Sequence, residues 1–77
     1  MKEEEIKEHL MSSSPEYRRL AGEHQHYEEQ LQQLHSRHMT EHDHVEEVRL
    51  KKKKLQLKDQ MNSMIQKFRN QLSHQHS

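Results

Sequence analysis

Apolar residues along this chain recur at helical intervals and hardly ever alternate, so the pattern predicts helices throughout. Ile6 and Leu10, four apart, mark a short helix over 2–11. Tyr17, Leu20, His24, Tyr27, Leu31, Leu34 and His38 then follow at intervals of three and four in strict alternation, and predict a helix over 15–38 with one narrow seam. A third run without Gly or Pro predicts a longer helix over 41–72. Its apolar residues do not fall on one stripe. Val45, Val48 and Leu55 lie on one side, and Leu50, Leu57 and Met61 on another.

Polar residues at the joints place the boundaries. Ser12 to Glu16 interrupts the first helix. Ser14 ahead of Pro15 reads as an N-cap with Pro at the first helical position. Ser13 with Glu16 is an alternative capping box. Ser36 to Thr40 forms the next turn, and Thr40 with Asp43 has the spacing of a capping box. The tail, 73–77, is expected to fray.

These elements make one domain over 1–77, all-α: an antiparallel helical hairpin preceded by a short N-terminal helix. A short connection forces neighbouring helices to run antiparallel. At the rise of an α-helix the third helix is about 48 Å long against about 36 Å for the second. The overhang leaves Met61, Met64, Ile65, Phe68 and Leu72 partly uncovered, where Ile6 and Leu10 can reach them. A helix with two apolar faces needs two partners, so the hairpin is expected to self-associate into a helical bundle, four helices being the expected form. Leu50, Leu57, Met61, Met64 and Phe68 are the expected interface.

Composition supports this picture and narrows it. The hydrophobic fraction is 27%, far below the usual ~45–50%, which fits exposed helices with thin apolar seams. One Gly and one Pro argue against a sheet-and-turn fold, and the absence of Cys removes disulfides and thiolate metal sites. No run approaches the ~20 apolar residues of a membrane span. The start, MKEEEIKEHLM, is too acidic for a secretory signal, so a cytoplasmic location is expected. Net charge is zero, yet residues 1–47 carry 12 acidic and 5 basic side chains while 48–77 carry 8 basic and 1 acidic. Acid at the start of the third helix and base further along it is the order that the helix dipole favours.

Pro15-Glu16-Tyr17-Arg18-Arg19-Leu20, with Val48-Arg49-Leu50-Lys51-Lys52-Lys53-Lys54-Leu55-Gln56-Leu57-Lys58-Asp59-Gln60-Met61 further on, resembles the YdcH-like family of small bacterial proteins, a domain of unknown function. The likeness spans roughly residues 15–65. It implies a bacterial source and a helical hairpin, and it implies no activity. The His-rich turn and tail read as peculiar to this chain, and the resemblance implies nothing about them.

Candidate chemistry is sparse. Nine His is a high count. His35, His38, His42 and His44 cluster about the turn, spaced so that two or three imidazoles could meet on Zn²⁺ or Ni²⁺. A turn between them breaks that spacing, and the reading adopted is solvated turn residues with no metal. His24 lies inside the seam of the second helix, where a protonated imidazole is unwelcome, so acidification from pH 7.5 to 5.5 is expected to loosen the packing.

Lys51, Lys52, Lys53 and Lys54 are a candidate contact for nucleic acid or another polyanion. Successive helical residues point about 100° apart, so the four form a ring rather than a patch. Glu28 is expected beside Lys51 and Lys52, and no aromatic residues interleave for stacking. Weak, sequence-independent binding is the most this run predicts. Met61, Met64 and Phe68 could line an adaptable groove, but core is the better reading of their spacing.

No nucleophile, acid–base pair or phosphate loop stands out, so no enzyme, cofactor or small-molecule substrate is expected. The expected role is a non-enzymatic interaction or structural protein acting through helix–helix association, with itself or with an unidentified protein. The alternative is an accessory protein that holds a polyanion on the basic third helix.

Overall fold

The computed structural model describes residues 2–75. They form three helices, α1 (Glu3–Ser13), α2 (Pro15–His35) and α3 (Glu41–Gln75). The result is a rod of 55 × 19 × 18 Å. Among the described residues there is no strand.

One residue separates α1 from α2. Glu3, Glu4 and Glu5 occupy the first turn of α1, where the helix dipole favours negative charge. The helix does not break at Ser12 as expected. The Ser12 and Ser13 hydroxyls donate to the His9 carbonyl at 2.9 and 2.7 Å, so both serines complete the last turn. Ser14 is extended at φ −117°, ψ 108°, the conformation that a following proline imposes by clash with its ring. Its backbone N–H closes α1 on the Leu10 carbonyl at 2.8 Å. Its hydroxyl accepts from the Tyr17 N–H at 3.1 Å and opens α2. Ser14 and Pro15 are therefore the working cap; Ser13 belongs to α1 and makes no capping box with Glu16.

α2 stops at His35, and the expected continuation to His38 does not occur. The Ser36 N–H bonds the Gln32 carbonyl at 3.0 Å and its hydroxyl donates to the Gln33 carbonyl at 2.8 Å, satisfying carbonyls that a further turn would have used. His38 thus leaves the seam and lies exposed in the connection. At the start of α3, the Thr40 N–H donates to Asp43 Oδ2 at 3.1 Å and the Asp43 N–H donates to Thr40 Oγ1 at 3.2 Å, the reciprocal bonds of a capping box. α3 runs past Leu72 to Gln75. The rest of the tail expected to fray, 76–77, lies outside the described residues.

Contacts join α2 to α3 and α1 to both. Glu28 meets Lys54, His35 meets Glu47 and Arg37 meets Asp43, so the numbering climbs along α2 as it falls along α3. Two apolar clusters lie along the rod. At the α1 end, Ile6, Leu10, Tyr17 and Ile65 pack with Met61, Met64 and Phe68. The rings of His9 and Phe68 meet there at 4.7 Å between centroids. Toward the turn, Leu31, Leu34 and Leu50 pack with Tyr27. Leu20 and Leu57 are buried at positions between the two.

Candidate functional site

The residues expected to form the interface face inward. Leu50 and Leu57 are buried, and Met61, Met64 and Phe68 pack against the cluster built on Ile6 and Ile65. This corrects the assignment of the two faces of α3. The seam within the chain takes Leu50, Leu57 and Met61, because that face also carries Ile65 and Phe68 and so continues under α1. The free face is the other one. Val45 is 69% exposed, Val48 52% and Leu55 59%. These three are the large aliphatic side chains left in solvent on α3, and they recur at helical spacing on one side of it. Val45 and Val48, with Arg49 and the stem of Lys52, bound a shallow depression of about 400 Å³.

The turn region is polar and tightly linked. Asp43 is only 7% exposed. Besides the capping bonds, its Oδ1 accepts from Arg37 Nη2 at 2.9 Å. The Thr40 backbone N–H, helped by the Arg37 charge, holds the Asp43 carboxyl below its ordinary 3.8. Glu47 is bonded by His35 and lies 3.7 Å from Lys51 Nζ. The His35 bond, with the Lys51 charge behind it, holds Glu47 below its ordinary 4.5. The cap was legible in the spacing of Thr40 and Asp43. Nothing in the sequence pointed to Arg37, which reaches Asp43 only because the connection folds back.

The four turn histidines do not converge. His35 goes to Glu47, while His38, His42 and His44 are exposed. Among the described residues no group of three His, Cys, Asp or Glu side chains is placed to hold a metal ion. His24 is half-buried and stands at the edge of a groove rather than inside either apolar cluster.

The lysine run divides around the helix. Lys54 lies 3.6 Å from Glu28 and Lys51 pairs with Glu47, whereas Lys52 and Lys53 are exposed on the outer side. Glu28 was expected beside Lys51 and Lys52; the actual register puts it opposite Lys54, which points to the inner side of the helix. Lys51, Lys54 and Lys58 border one shallow depression with Leu55, while Lys52 and Lys53 border the one beside Val45 and Val48. Among the described residues, no helix is long and apolar enough to cross a membrane.

A family model described as "Protein of unknown function (DUF465)" matches residues 18–65, more than half of the chain. YdcH-like proteins belong to this family, so the resemblance seen in the two quoted motifs is borne out. The match takes in most of α2 and α3 up to Ile65 and leaves α1 outside. No curated protein and no solved structure matches the chain.

Proposed function

We infer, from the premise that the chain belongs to this family of unknown function, that it is a non-enzymatic association module. In this reading α2 and α3 are a helical hairpin, and two hairpins pair through the outer face of α3. The exposure of Val45, Val48 and Leu55 carries the proposal. A short chain with thin cores gains from covering such a face.

The occupant proposed is a second copy of the chain, and charge supports that choice. Of the charges that make no ion pair among the described residues, α3 carries the exposed Glu41 at its start and the exposed Lys52 and Lys53 further along. Two α3 helices laid side by side in opposite directions set the acidic start of each against the basic stretch of the other. That arrangement is a two-fold, self-complementary contact. The apolar part of the contact spans only Val45 to Leu55, roughly 15 Å of helix. Association is therefore expected to be reversible and to depend on concentration. The polyanion reading has Lys51, Lys54 and Lys58 around one depression, but Lys51 and Lys54 are paired with Glu47 and Glu28, so it receives less support.

Sedimentation equilibrium tests the pairing. The chain is expected to pass from monomer to dimer as concentration rises through the micromolar range, and Val48→Glu with Leu55→Glu is expected to leave a helical monomer, because pairing would bury unpaired carboxylates. A compact monomer at all concentrations, or a dimer untouched by the two substitutions, would overturn it.

A further inference from the structure

The three helices enclose a groove of about 300 Å³ that neither the seam nor the outer stripe uses. Tyr17 and Ile65 line it, each 2% exposed, together with the half-buried Met61. These supply an apolar floor. Lys7 from α1 and Lys58 from α3 are exposed at its edge, and His24 from α2 stands half-buried beside them.

The charge is not cancelled from within. Glu28 also lines the groove, but its carboxylate is committed to Lys54 at 3.6 Å. Among the described residues Lys7 and Lys58 make no ion pair. Two uncommitted ammonium groups from different helices thus stand over an apolar floor. Burial, and the charge of Glu3 after it, raises the Tyr17 phenol above its ordinary 10.0.

We propose that this groove is a binding site for a small organic anion, one with a phosphate-like head for Lys7 and Lys58 and a compact apolar body for Met61 and Ile65. Its size lies at the small end of ligand pockets, which span ~300–1,000 Å³ and set a few polar groups around an apolar lining. An ammonium is a compact point charge on a flexible stem, suited to a phosphate rather than to a planar, two-pronged acceptor. Because Lys7 belongs to α1 and Lys58 to α3, a bound anion also ties α1 to the rest of the rod. The proposal does not depend on pairing of two copies.

The test is an amide NMR titration of the full chain with phenyl phosphate, with inorganic phosphate and phenol as separate arms. Phenyl phosphate is expected to give saturable shifts centred on Lys7, His24, Lys58 and Met61, with weaker binding of either part alone. Lys7→Gln with Lys58→Gln is expected to weaken binding on the order of tenfold, the size that follows from losing charge-assisted contacts. Lys52→Gln with Lys53→Gln, on the outer side, is expected to leave it unchanged. Both pairs of lysines are exposed, so the variants retain the fold. As a second reading, phenyl phosphate is expected to raise the melting temperature of the parent chain but not of the Lys7→Gln, Lys58→Gln variant. No saturable shift, shifts centred on Val45, Val48 and Leu55, or equal weakening by both double substitutions would overturn the assignment.

Discussion

The two ends of the rod solve the same problem with different means. At the α1 end three helices meet, and Ile6, Tyr17 and Ile65 lose essentially all contact with water. At the turn end only two helices meet. Leu31, Leu34 and Leu50 fill a single seam there, and the far side of α3 keeps Val45 and Val48 in solvent. Two helices share one line of contact, so each covers only one stripe of the other; a third helix closes the hollow between them. The turn end makes up part of the difference with polar links, the capping box and the Arg37–Asp43 and His35–Glu47 pairs. Apolar burial therefore holds one end, and directional bonds contribute more at the other.

Truncation gives the largest contrast. Ile65→Ala is expected to destabilise the chain by about 3 kcal/mol and Leu50→Ala by about 2 kcal/mol, because a cavity between three helices relaxes less than a gap in an open two-helix seam. Urea denaturation of the two variants checks the order, and equal losses would mean that α1 adds no confinement.

Acid sharpens the comparison from the other side. Asp43 and Glu47 both have folded values held below their ordinary 3.8 and 4.5. The stability they contribute is complete above those ordinary values and is lost as pH falls through the lower folded values. From these two groups no change is expected between pH 7.5 and 5.5, and a loss is expected below about pH 4.5, confined first to the turn end. Amide exchange across that range is the measurement. Asp43→Asn is expected to flatten the change at the start of α3 and to leave Ile65 and its neighbours as before. Early loss of protection at the α1 end would reverse the comparison.

The smallest effect lies on α2 between the two ends. A Cβ at Gly22 would meet nothing within 4 Å, and its backbone φ is not positive. No contact calls for glycine there. Gly22→Ala is expected to add about 0.5–1 kcal/mol through helix propensity and a less free unfolded chain. A thermal melt that does not rise would show a demand for glycine that neither packing nor backbone reveals.

Much of this was legible before the fold. Periodicity located all three helices, Ser14-Pro15 and Thr40…Asp43 marked two starts, and Ile6 and Leu10 were matched to Met61, Ile65 and Phe68. These signals are local, or depend on counting along one helix, so sequence carries them. The two faces of α3 were legible as well, but not which one turned inward. Leu50 and Leu57 were expected to meet a second copy and are instead buried within the chain, Leu50 against Leu31 and Leu34, while Val45, Val48 and Leu55 were left outside.

That choice depends on how helices are rotated against one another, and rotation is set by all the contacts of a helix together. The same holds for Glu28, which fell opposite Lys54 rather than Lys51 and Lys52. It holds for His35, taken by Glu47, and for the groove that Lys7, His24 and Lys58 line from three helices. By itself the sequence determined where helices begin and end and which stripes are apolar, because backbone hydrogen bonds and helical spacing act over a few residues. Only the tertiary structure decided which stripes touch, which charges pair and where a cavity remains, because those follow from the simultaneous packing of residues far apart in the chain.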